Sequence, residues 1–557
     1  MPVPTPDVCP AEPTRPGDRT RHGRRRRRLA AVLGVAALVA AGCGSDGRSP
    51  DSSRVEVSIG AAPNRDVIAL PGSIDAQLTA ALDRLPSLAT DALAESKVPG
   101  MAIGVVHGDR TVFTGGYGVR RVDTDQRVDP DTVFQIASVS KPLSATGVAA
   151  AIGRSGGALS WTTPVHELLP DFAFSDPTVT RMATIGDAFS HCTGLHTGAG
   201  DDLEDLGYDQ RYIFDHLRFQ PLDAFRASYN YSNYGLTIGA EAVAASRHQS
   251  WQSMMQDLVF GPLGMTSTST RYADYVARPD RAVLHTLEDG EFVAAYDRRP
   301  DPQAPAGGVS SNVEDLSKWM RMLLAHGRVG DRAIADADAL AQAMTPQVVS
   351  SPGPSVDGRP GHYGFGFNSG PQVGGRMAQS HSGAFSVGAA TAFTVIPDLG
   401  IGIVVLTNGA PIGVPEAVSA QFLDLVQYGH ITRDWLGDAR KSFAPYTAPE
   451  GDLVGARRPA AAAAPPSTAA LVGHYDNPYF GPLTVSADRG GLSVALGPDG
   501  RVRMDVQPWD GATFAYAPRS ESAPAGSLAS AHFAADGATV RLSSFDSQGL
   551  GTWTRRG

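Results

Sequence analysis

The chain has 557 residues, 42% of them hydrophobic, and a formal net charge of −10. This length predicts one large domain with a smaller one, or two to three medium domains, and the composition excludes collagen, coiled coil and wholesale disorder. Residues 1–42 hold eight of the 47 basic residues but only three of the 57 acidic ones, so the remainder is more acidic still. Such a chain lacks the basic footprint that nucleic-acid binding requires.

The N-terminal residues have the pattern of an export signal. A block of five arginines at 24–28 is followed by an apolar run at 29–41 and then by small residues. This pattern predicts a signal peptide over residues 1–42, because a 13-residue apolar run is too short to cross a bilayer core of ~30 Å. The five-arginine block leaves the general secretory and twin-arginine routes both open.

The sequence Ala40, Ala41, Gly42, Cys43 resembles a bacterial lipobox, in which the cysteine is lipidated and becomes the mature N-terminus. Ala40 departs from the usual Leu, Val or Ile, and an ordinary secretory signal with an incidental cysteine is the alternative. We expect a lipid anchor on Cys43 at the outer face of the cell membrane. Residues 43–72, rich in Ser, Gly and Asp, then form a disordered tether.

The chain contains only three cysteines, Cys9, Cys43 and Cys192. Signal removal and lipidation would leave Cys192 without a partner. An exported protein with no possible internal disulfide must be stabilised by its own core.

Residues 73–441 read as one domain with strands near both ends and helices between them. Leucines at helical spacing predict a helix over 74–97, and residues 101–107 and 110–117 predict two strands joined by a tight turn. Alternating helices and loops fill about 138–345. Further strands are predicted at 364–368, 389–396 and 401–407, so we expect one sheet completed by both termini of the domain.

The C-terminal part predicts a second, smaller domain. Residues 442–469 turn to Pro and Ala and are predicted to be a linker by composition. Residues 470–557 are typical of an all-β meander, with short apolar runs separated by Gly and Asp turns. Strands are predicted at 483–487, 492–496, 502–506, 513–516, 532–534 and 540–543.

A serine and a lysine three residues apart are the most informative pattern in the chain. Pro142 indicates that a helix begins just before it, because residues 143–154 look helical and proline is excluded from helix interiors. Ser138 and Lys141 then share a face at the helix N-terminus. Free N–H groups and the positive end of the helix dipole favour an oxyanion there.

The scarcity of lysine supports a chemical role for Lys141. The chain has four lysines, and only Lys141 has a serine three residues before it. A nucleophilic serine needs a neighbour that takes its proton, and lysine can be neutral at working pH whereas arginine cannot. The alternative is a helix-capping serine beside an exposed lysine.

Two further motifs complete a candidate site. The phenol of Tyr231, with an ordinary pKa of ~10, becomes a proton shuttle if cations lie beside it, and the Asn233 amide can orient a substrate carbonyl while holding the lysine. After His381, Gly383 would let the backbone approach a substrate so that an N–H completes an oxyanion hole. Each of these motifs is weak alone.

Together and in this order, the three motifs resemble those of the penicillin-recognising serine hydrolases. The most similar members are class C β-lactamases and the related serine D,D-carboxypeptidases and esterases. The resemblance covers about residues 74–427. Further family-like phrases lie at residues 98–101, 134–141, 190–195, 262–265, 307–309 and 363–366.

The resemblance implies a catalytic assignment for the first two motifs. Ser138 would be the nucleophile that forms an acyl-enzyme, and Lys141 its first base. Tyr231 would shuttle the proton to the leaving group, and Asn233 would position the substrate.

The resemblance also implies the rest of the site and the fold. The oxyanion hole would use the backbone N–H groups of Ser138 and Ala384, next to Gly383, and His381 would occupy the third-motif position. The implied fold is α+β: a β-lactamase/transpeptidase-like antiparallel sheet flanked by helices, with a helical lobe and no cofactor or metal. The C-terminal domain resembles the small barrel-like extension of some members.

His381 departs from the family pattern in a way that bears on the substrate. Typical β-lactamases have a lysine there that supports recognition of the substrate carboxylate, and an imidazole is a weaker cation at neutral pH. We therefore expect a D,D-carboxypeptidase- or esterase-like enzyme acting on cell-wall peptide or small-molecule substrates. The alternatives are a β-lactamase and a non-catalytic cell-wall or β-lactam binding module.

Other histidines are not read as metal ligands. His166 and Glu167 begin like a zinc-protease motif, but the second histidine that the motif needs is replaced by Pro170. His191 and His196 flank Cys192 in a segment that the family uses structurally.

Overall fold

The computed structural model describes residues 67–557 except 354, 356, 357, 489, 490 and 522. The predicted signal peptide, the predicted lipidation at Cys43 and most of the predicted tether lie outside the described residues. The chain divides into two units, Met1–Pro63 and Asn64–Gly557, and the description below concerns the second. Within the described ranges, no helix combines the length and apolar character needed to cross a membrane.

The larger domain is built on an eight-stranded antiparallel sheet in the order β2-β1-β14-β13-β12-β11-β10-β9. The strands from the two ends of the domain, β1 and β14, are neighbours in this sheet, and Ile103 pairs with Val405. The expectation of one sheet completed by both termini is therefore confirmed. The strands of this domain, including three small two-stranded pairs, are β1 Gly100–His107, β2 Arg110–Gly118, β3 Phe134–Gln135, β4 Thr286–Glu288, β5 Glu291–Val293, β6 Ser310–Ser311, β7 Arg328–Val329, β8 Arg332–Ala333, β9 Val348–Ser351, β10 Gly361–Tyr363, β11 Asn368–Pro371, β12 Met377–Phe385, β13 Ala389–Ile396 and β14 Ile401–Thr407.

Helices cover both faces of the sheet, and those within residues 165–246 form a helical lobe beside it. The helices are α1 Ile74–Ser96, α2 Ser140–Gly153, α3 Val165–Leu168, α4 Pro177–Met182, α5 Ile185–Phe189, α6 Asp201–Asp205, α7 Gln210–His216, α8 Asn233–Ser246, α9 Trp251–Met255, α10 Gly261–Leu263, α11 Tyr272–Ala277, α12 Ala304–Gly307, α13 Val313–Leu324, α14 Ala337–Met344, α15 Val414–Tyr428, α16 Trp435–Phe443 and α17 Thr468–Leu471. Because successive side chains of a strand point to opposite faces of the sheet, the side chains of β14 belong to two hydrophobic cores. Ile403 and Val405 pack towards α1 and α15, whereas Val404 and Leu406 join the core that contains α2 and α13.

The strand predicted at 364–368 is wrong. β10 ends at Tyr363 and β11 begins at Asn368, because the chain turns between them with Gly366 at a φ of +82°, a conformation that glycine adopts freely. The Gly366 N–H donates to the carbonyl of Phe189 at 3.0 Å. This turn fastens the sheet edge to the end of α5.

The C-terminal domain is a closed eight-stranded barrel, which confirms an all-β barrel-like domain. Its strands are β15 Gly473–Asp476, β16 Leu483–Asp488, β17 Gly491–Leu496, β18 Val502–Asp510, β19 Thr513–Tyr516, β20 Ala529–Phe533, β21 Thr539–Leu542 and β22 Thr552–Arg555. The sequence did not predict β15 and β22, which close the barrel by pairing Tyr475 with Arg555. Each has four residues and a single fully buried side chain, Tyr475 or Trp553, too little for a periodic signal.

The segment predicted as a linker lies along the barrel. The Leu453 N–H donates to the Leu528 carbonyl at 3.1 Å, and the Asp452 carboxylate accepts from Ser530 and Ser543. The barrel also packs on the helical lobe, since one hydrophobic core contains residues of both.

Candidate active site

The three predicted motifs converge on one place in the larger domain. Ser138 lies in a 3-10 turn, Ala137–Val139, that runs directly into α2. Asn233 is the first residue of α8, and β12 carries His381 and Gly383. Ala137 has a φ of +45°, a conformation that strains a residue with a Cβ. The backbone is therefore strained immediately before the serine.

Lys141 is fully buried and is hydrogen-bonded to residues of the first two motifs. Its Nζ lies 2.9 Å from Ser138 Oγ and 2.7 Å from Asn233 Oδ1. A third bond of 3.0 Å runs to the carbonyl of Ala306. The three acceptors use every donor position of an ammonium group, so the lysine is held in one geometry with its nitrogen against the serine hydroxyl.

Burial lowers the pKa of Lys141 to about 7, although the nearby carboxylate of Asp201 opposes this shift. The buried site disfavours the charged amine because it removes the ammonium from water. A substantial fraction of Lys141 is then neutral near pH 7. The amine has both the position and the basicity to take a proton from Ser138.

Tyr231 lies beside Lys141, with its ring centroid 4.5 Å from Lys141 Nζ. Burial raises the pKa of Tyr231 above its ordinary value, and the interaction of its phenol with Ser138 offsets this only in part. The free site therefore holds a protonated phenol, which can donate a proton but is not the first base.

Asp201 was not predicted from the sequence, and it fixes the orientation of Asn233. Both Asp201 carboxylate oxygens accept from Asn233 Nδ2, at 3.2 and 3.1 Å. The amide oxygen of Asn233 is consequently turned to Lys141. Asp201 lies in an acidic run at 201–205 that reads as a solvated helix, so no spacing signal marked it.

Gly383 brings β12 against the serine turn. A Cβ at this glycine would lie 3.0 Å from Ser138 N and would collide with Ile136 O and Thr391 Oγ1. Only glycine allows this approach, which places the Ser138 N–H directly beside β12. Ala384 is the next residue of the strand, in register with Ala390.

His381 is buried and neutral. Its Nδ1 lies 2.6 Å from the carbonyl of Ser382 and therefore carries the hydrogen, so Nε2, 2.9 Å from Tyr363 Oη, accepts from the phenol. Burial, reinforced by the charge of Lys141, lowers the pKa of His381 to about 3. The third motif position thus offers no cation to a substrate carboxylate at neutral pH. Tyr363 belongs to a family-like phrase in the sequence but had no predicted role.

Two side chains of the segment that the sequence analysis did not read as a metal site, His196 and Cys192, have other partners. The His196 ring nitrogens lie 3.0 Å from Thr197 O and 2.6 Å from Gln220 Oε1. The Cys192 thiol is buried and donates to the carbonyl of Ser190. Across the described residues, no group of three or more His, Cys, Asp or Glu side chains is arranged to hold a metal ion.

Comparisons with known proteins agree with this geometry. The family model described as Beta-lactamase matches residues 85–428. Penicillin-binding protein 4 of Amycolatopsis lactamdurans is 32% identical over 277 residues, 46% of this chain and 68% of that protein. The Beta-lactamase of Escherichia coli K12 is 26% identical over 263 residues, 46% of this chain and 64% of that protein.

Two other similarities are more distant or more partial. Unguisins hydrolase ungD of Aspergillus violaceofuscus is 27% identical over 286 residues, which is 48% of this chain and 47% of that protein, so the match spans about half of this relative. The octameric penicillin-binding protein homologue from Pyrococcus abyssi superposes with a TM-score of 0.55 at 18% identity, covering 85% of this chain and 100% of that one. The latter similarity concerns the fold alone.

Proposed function

The chain belongs to the beta-lactamase family of serine hydrolases, and from that membership we propose that it hydrolyses ester or D-amino-acid peptide bonds through an acyl-enzyme on Ser138. The observation that carries this proposal is the 2.9 Å contact between Lys141 Nζ and Ser138 Oγ. It joins a hydroxyl to an amine whose pKa burial lowers to about 7. An activated serine needs an adjacent base of this kind.

Acylation begins when neutral Lys141 takes the proton of Ser138 as its oxygen attacks the substrate carbonyl. The oxyanion that forms is stabilised by the N–H groups of Ser138 and Ala384, which add to the positive end of the α2 dipole. Asn233, oriented by its hydrogen bonds to Lys141 and Asp201, binds a carbonyl of the substrate.

Collapse of the tetrahedral intermediate requires a proton on the leaving group. Tyr231, protonated in the free site, donates its phenolic hydrogen, and the Lys141 ammonium restores it. Water then attacks the acyl-enzyme with the same groups acting in reverse. No step needs a group beyond these side chains and water.

The neutral state of His381 supports substrates that present no carboxylate to the third motif. Penicillins carry such a carboxylate, so we place β-lactam hydrolysis second to hydrolysis of esters and D-amino-acid peptides. The relatives named as a penicillin-binding protein and as a hydrolase of unguisins support a substrate range wider than β-lactams. A D,D-carboxypeptidase would have to recognise its terminal carboxylate elsewhere.

We further propose that the enzyme works outside the cell, attached to the outer face of the membrane through lipid on Cys43. The basic block at 24–28, the apolar run at 29–41 and the lipobox-like residues before Cys43 support this location. Metabolic labelling with an alkynyl fatty acid tests it: wild type becomes labelled, and Cys43→Ser does not.

A substrate panel tests the catalytic proposal. Initial rates are measured for a p-nitrophenyl ester, a D-Ala-D-Ala peptide, a D-alanine anilide and nitrocefin, with Ser138→Ala as the control. We expect ester or D-amino-acid substrates to be turned over faster than nitrocefin, and no activity in Ser138→Ala. Nitrocefin as the best substrate would reassign the enzyme as a β-lactamase. Activity that survives Ser138→Ala would overturn the proposal.

A further inference from the structure

One histidine that the catalytic proposal leaves unused lies against Tyr231. His191 is 2% exposed and follows α5 in the segment that the sequence analysis set aside. Its ring centroid is 4.6 Å from that of Tyr231. The His191 ring therefore packs against the Tyr231 ring.

His191 also binds the backbone on both sides of Tyr231. Its carbonyl accepts from the N–H of Asn230 at 3.0 Å, and its Nδ1 accepts from the N–H of Ser232 at 3.1 Å. One residue thus holds the peptide between Tyr229 and Asn230, the peptide between Tyr231 and Ser232, and the Tyr231 ring.

The hydrogen bond from Ser232 fixes the state of the imidazole. Because Nδ1 accepts from a backbone N–H, it carries no hydrogen, and the neutral ring has its hydrogen on Nε2. Burial, with the positive charge of Lys141, lowers the pKa of His191 well below its usual range. The lowered pKa and the hydrogen bond from Ser232 both favour the neutral ring.

His191 is an unfavourable residue for stability alone. Its φ of +60° lies in the left-handed region, which strains a residue with a Cβ. Its Nε2 is buried and has no hydrogen-bond partner among the described residues, and an unpaired buried donor destabilises a fold. Both features lower the stability of the fold. Their presence at one residue indicates that the contacts of His191 with residues 230–232 have a role other than stability.

We propose that His191 is a positioning residue for catalysis, which sets the Tyr231 phenol over Ser138 and Lys141 by holding residues 230–232. This inference rests on the proposed function, because it assigns a role in the same reaction. Loss of the Nδ1 acceptor would release the Ser232 N–H and let the phenol move, and a small misplacement of a proton donor slows the chemical step.

Two substitutions separate the acceptor from the rest of the ring. His191→Asn places an amide oxygen near the Nδ1 position and tolerates a positive φ, which asparagine adopts more readily than most residues. His191→Gln extends past that position and leaves Ser232 N–H without its acceptor. With an alkyl ester, whose alkoxide leaving group needs a proton, we expect His191→Gln to lower kcat about 10- to 100-fold with little change in KM. His191→Asn should restore kcat to within about threefold of wild type. His216→Gln, on α7, is the matched control and should leave both constants unchanged.

A double-mutant cycle distinguishes positioning from a structural role. In the Tyr231→Phe background there is no phenolic proton to place, so His191→Gln should lower kcat no further, whereas independent effects multiply. Thermal unfolding of all four proteins checks that they are folded. Equal effects in both backgrounds, or an Asn variant as slow as the Gln variant, would overturn the inference. Hydrolysis that survives Ser138→Ala would instead refute the proposed function, so the two failures are distinguishable.

Discussion

At the scale of single residues, the site depends on a lysine whose environment opposes its charge. Lys141 has no exposed surface, and the Asp201 carboxylate, hydrogen-bonded to Asn233, opposes the effect of burial only in part. Burial therefore determines its pKa, and the same burial makes the amine a usable base. Arginine in this position would stay charged.

The activity should follow the titration of Lys141. The neutral amine is the active form, so kcat/KM for an uncharged ester should rise with pH through about 7, the value to which burial lowers the pKa of Lys141. Well below that pH it should fall about tenfold per pH unit, which a profile from pH 5 to 9 would show. A flat profile between pH 5 and 8 would contradict this assignment of the base.

Asp201→Asn should move the same profile. Burial and the charge of Glu204 raise the pKa of Asp201 well above its usual range, and in its ionised form the Asp201 carboxylate raises the pKa of Lys141, so its loss should shift the acid limb to lower pH. Asp215→Asn, an exposed aspartate of α7, is the control and should leave the limb in place. A shift to higher pH in Asp201→Asn would refute the electrostatic part of the account.

The neutral state of His381 makes a separate prediction. Its pKa, lowered to about 3, keeps the ring uncharged from pH 5 to 8. For two esters that differ by one carboxylate, the ratio of kcat/KM should therefore stay constant over that range, because Lys141 affects both equally. His381→Lys should raise kcat/KM for the carboxylate ester relative to the uncharged ester. If the new ammonium stabilises the bound carboxylate by ~1.4 kcal/mol, the increase should be roughly tenfold. If the wild type instead hydrolysed the carboxylate ester increasingly faster than the uncharged ester as the pH falls, His381 would have to gain a proton in that range.

At the scale of elements, the site depends on the close approach of β12 to the serine turn. Gly383→Ala would introduce a Cβ 3.0 Å from Ser138 N and against two other groups, so strand and turn must separate. Removing one oxyanion donor typically lowers kcat by ~10²–10³, and we expect a loss of that order. Gly370→Ala on β11 is the matched control, since its Cβ would meet nothing within 4 Å. Equal activities would refute the oxyanion assignment.

The sequence could predict those parts of the site whose residues lie close together in the chain. Pro142 marked the start of α2, and the spacing of Ser138 and Lys141 was local, so their contact could be predicted. Asp201 and Tyr363 reach the site only through the tertiary fold, one from a short acidic helix and the other from a strand end beside a turn. Nothing in their own neighbourhoods distinguishes them from solvated or core residues.

At the scale of the whole molecule, an ion-pair cluster joins the barrel to the larger domain. Arg298 Nη1 lies 2.7 Å from Glu204 Oε1 in the helical lobe, and its Nε lies 2.5 Å from Glu521 Oε2 in a barrel loop. The other Glu521 oxygen accepts from the N–H of Ser386, just beyond the end of β12. A cavity of about 1090 Å³ borders this cluster. The barrel loop is thereby fixed beside the oxyanion strand.

Removing the central cation should be costly. The side chains of Arg298 and Glu204 are 12% and 3% exposed, so Arg298→Met leaves two buried carboxylates without their cation, and we expect a loss of ~3–5 kcal/mol. Lys441→Met, whose side chain is 81% exposed, should change stability by less than ~1 kcal/mol. Denaturant unfolding of both variants measures the difference. Equal stabilities would show that the cluster does not hold the barrel in place.

The most direct test of the account is the intact mass of the enzyme, quenched rapidly after mixing with an activated ester. The account predicts that wild type gains the mass of one acyl group and that peptide mapping locates it on Ser138. Ser138→Ala should gain none, and Lys141→Met should gain it far more slowly. An adduct on another residue, or hydrolysis of the ester by Ser138→Ala at the wild-type rate, would contradict the account.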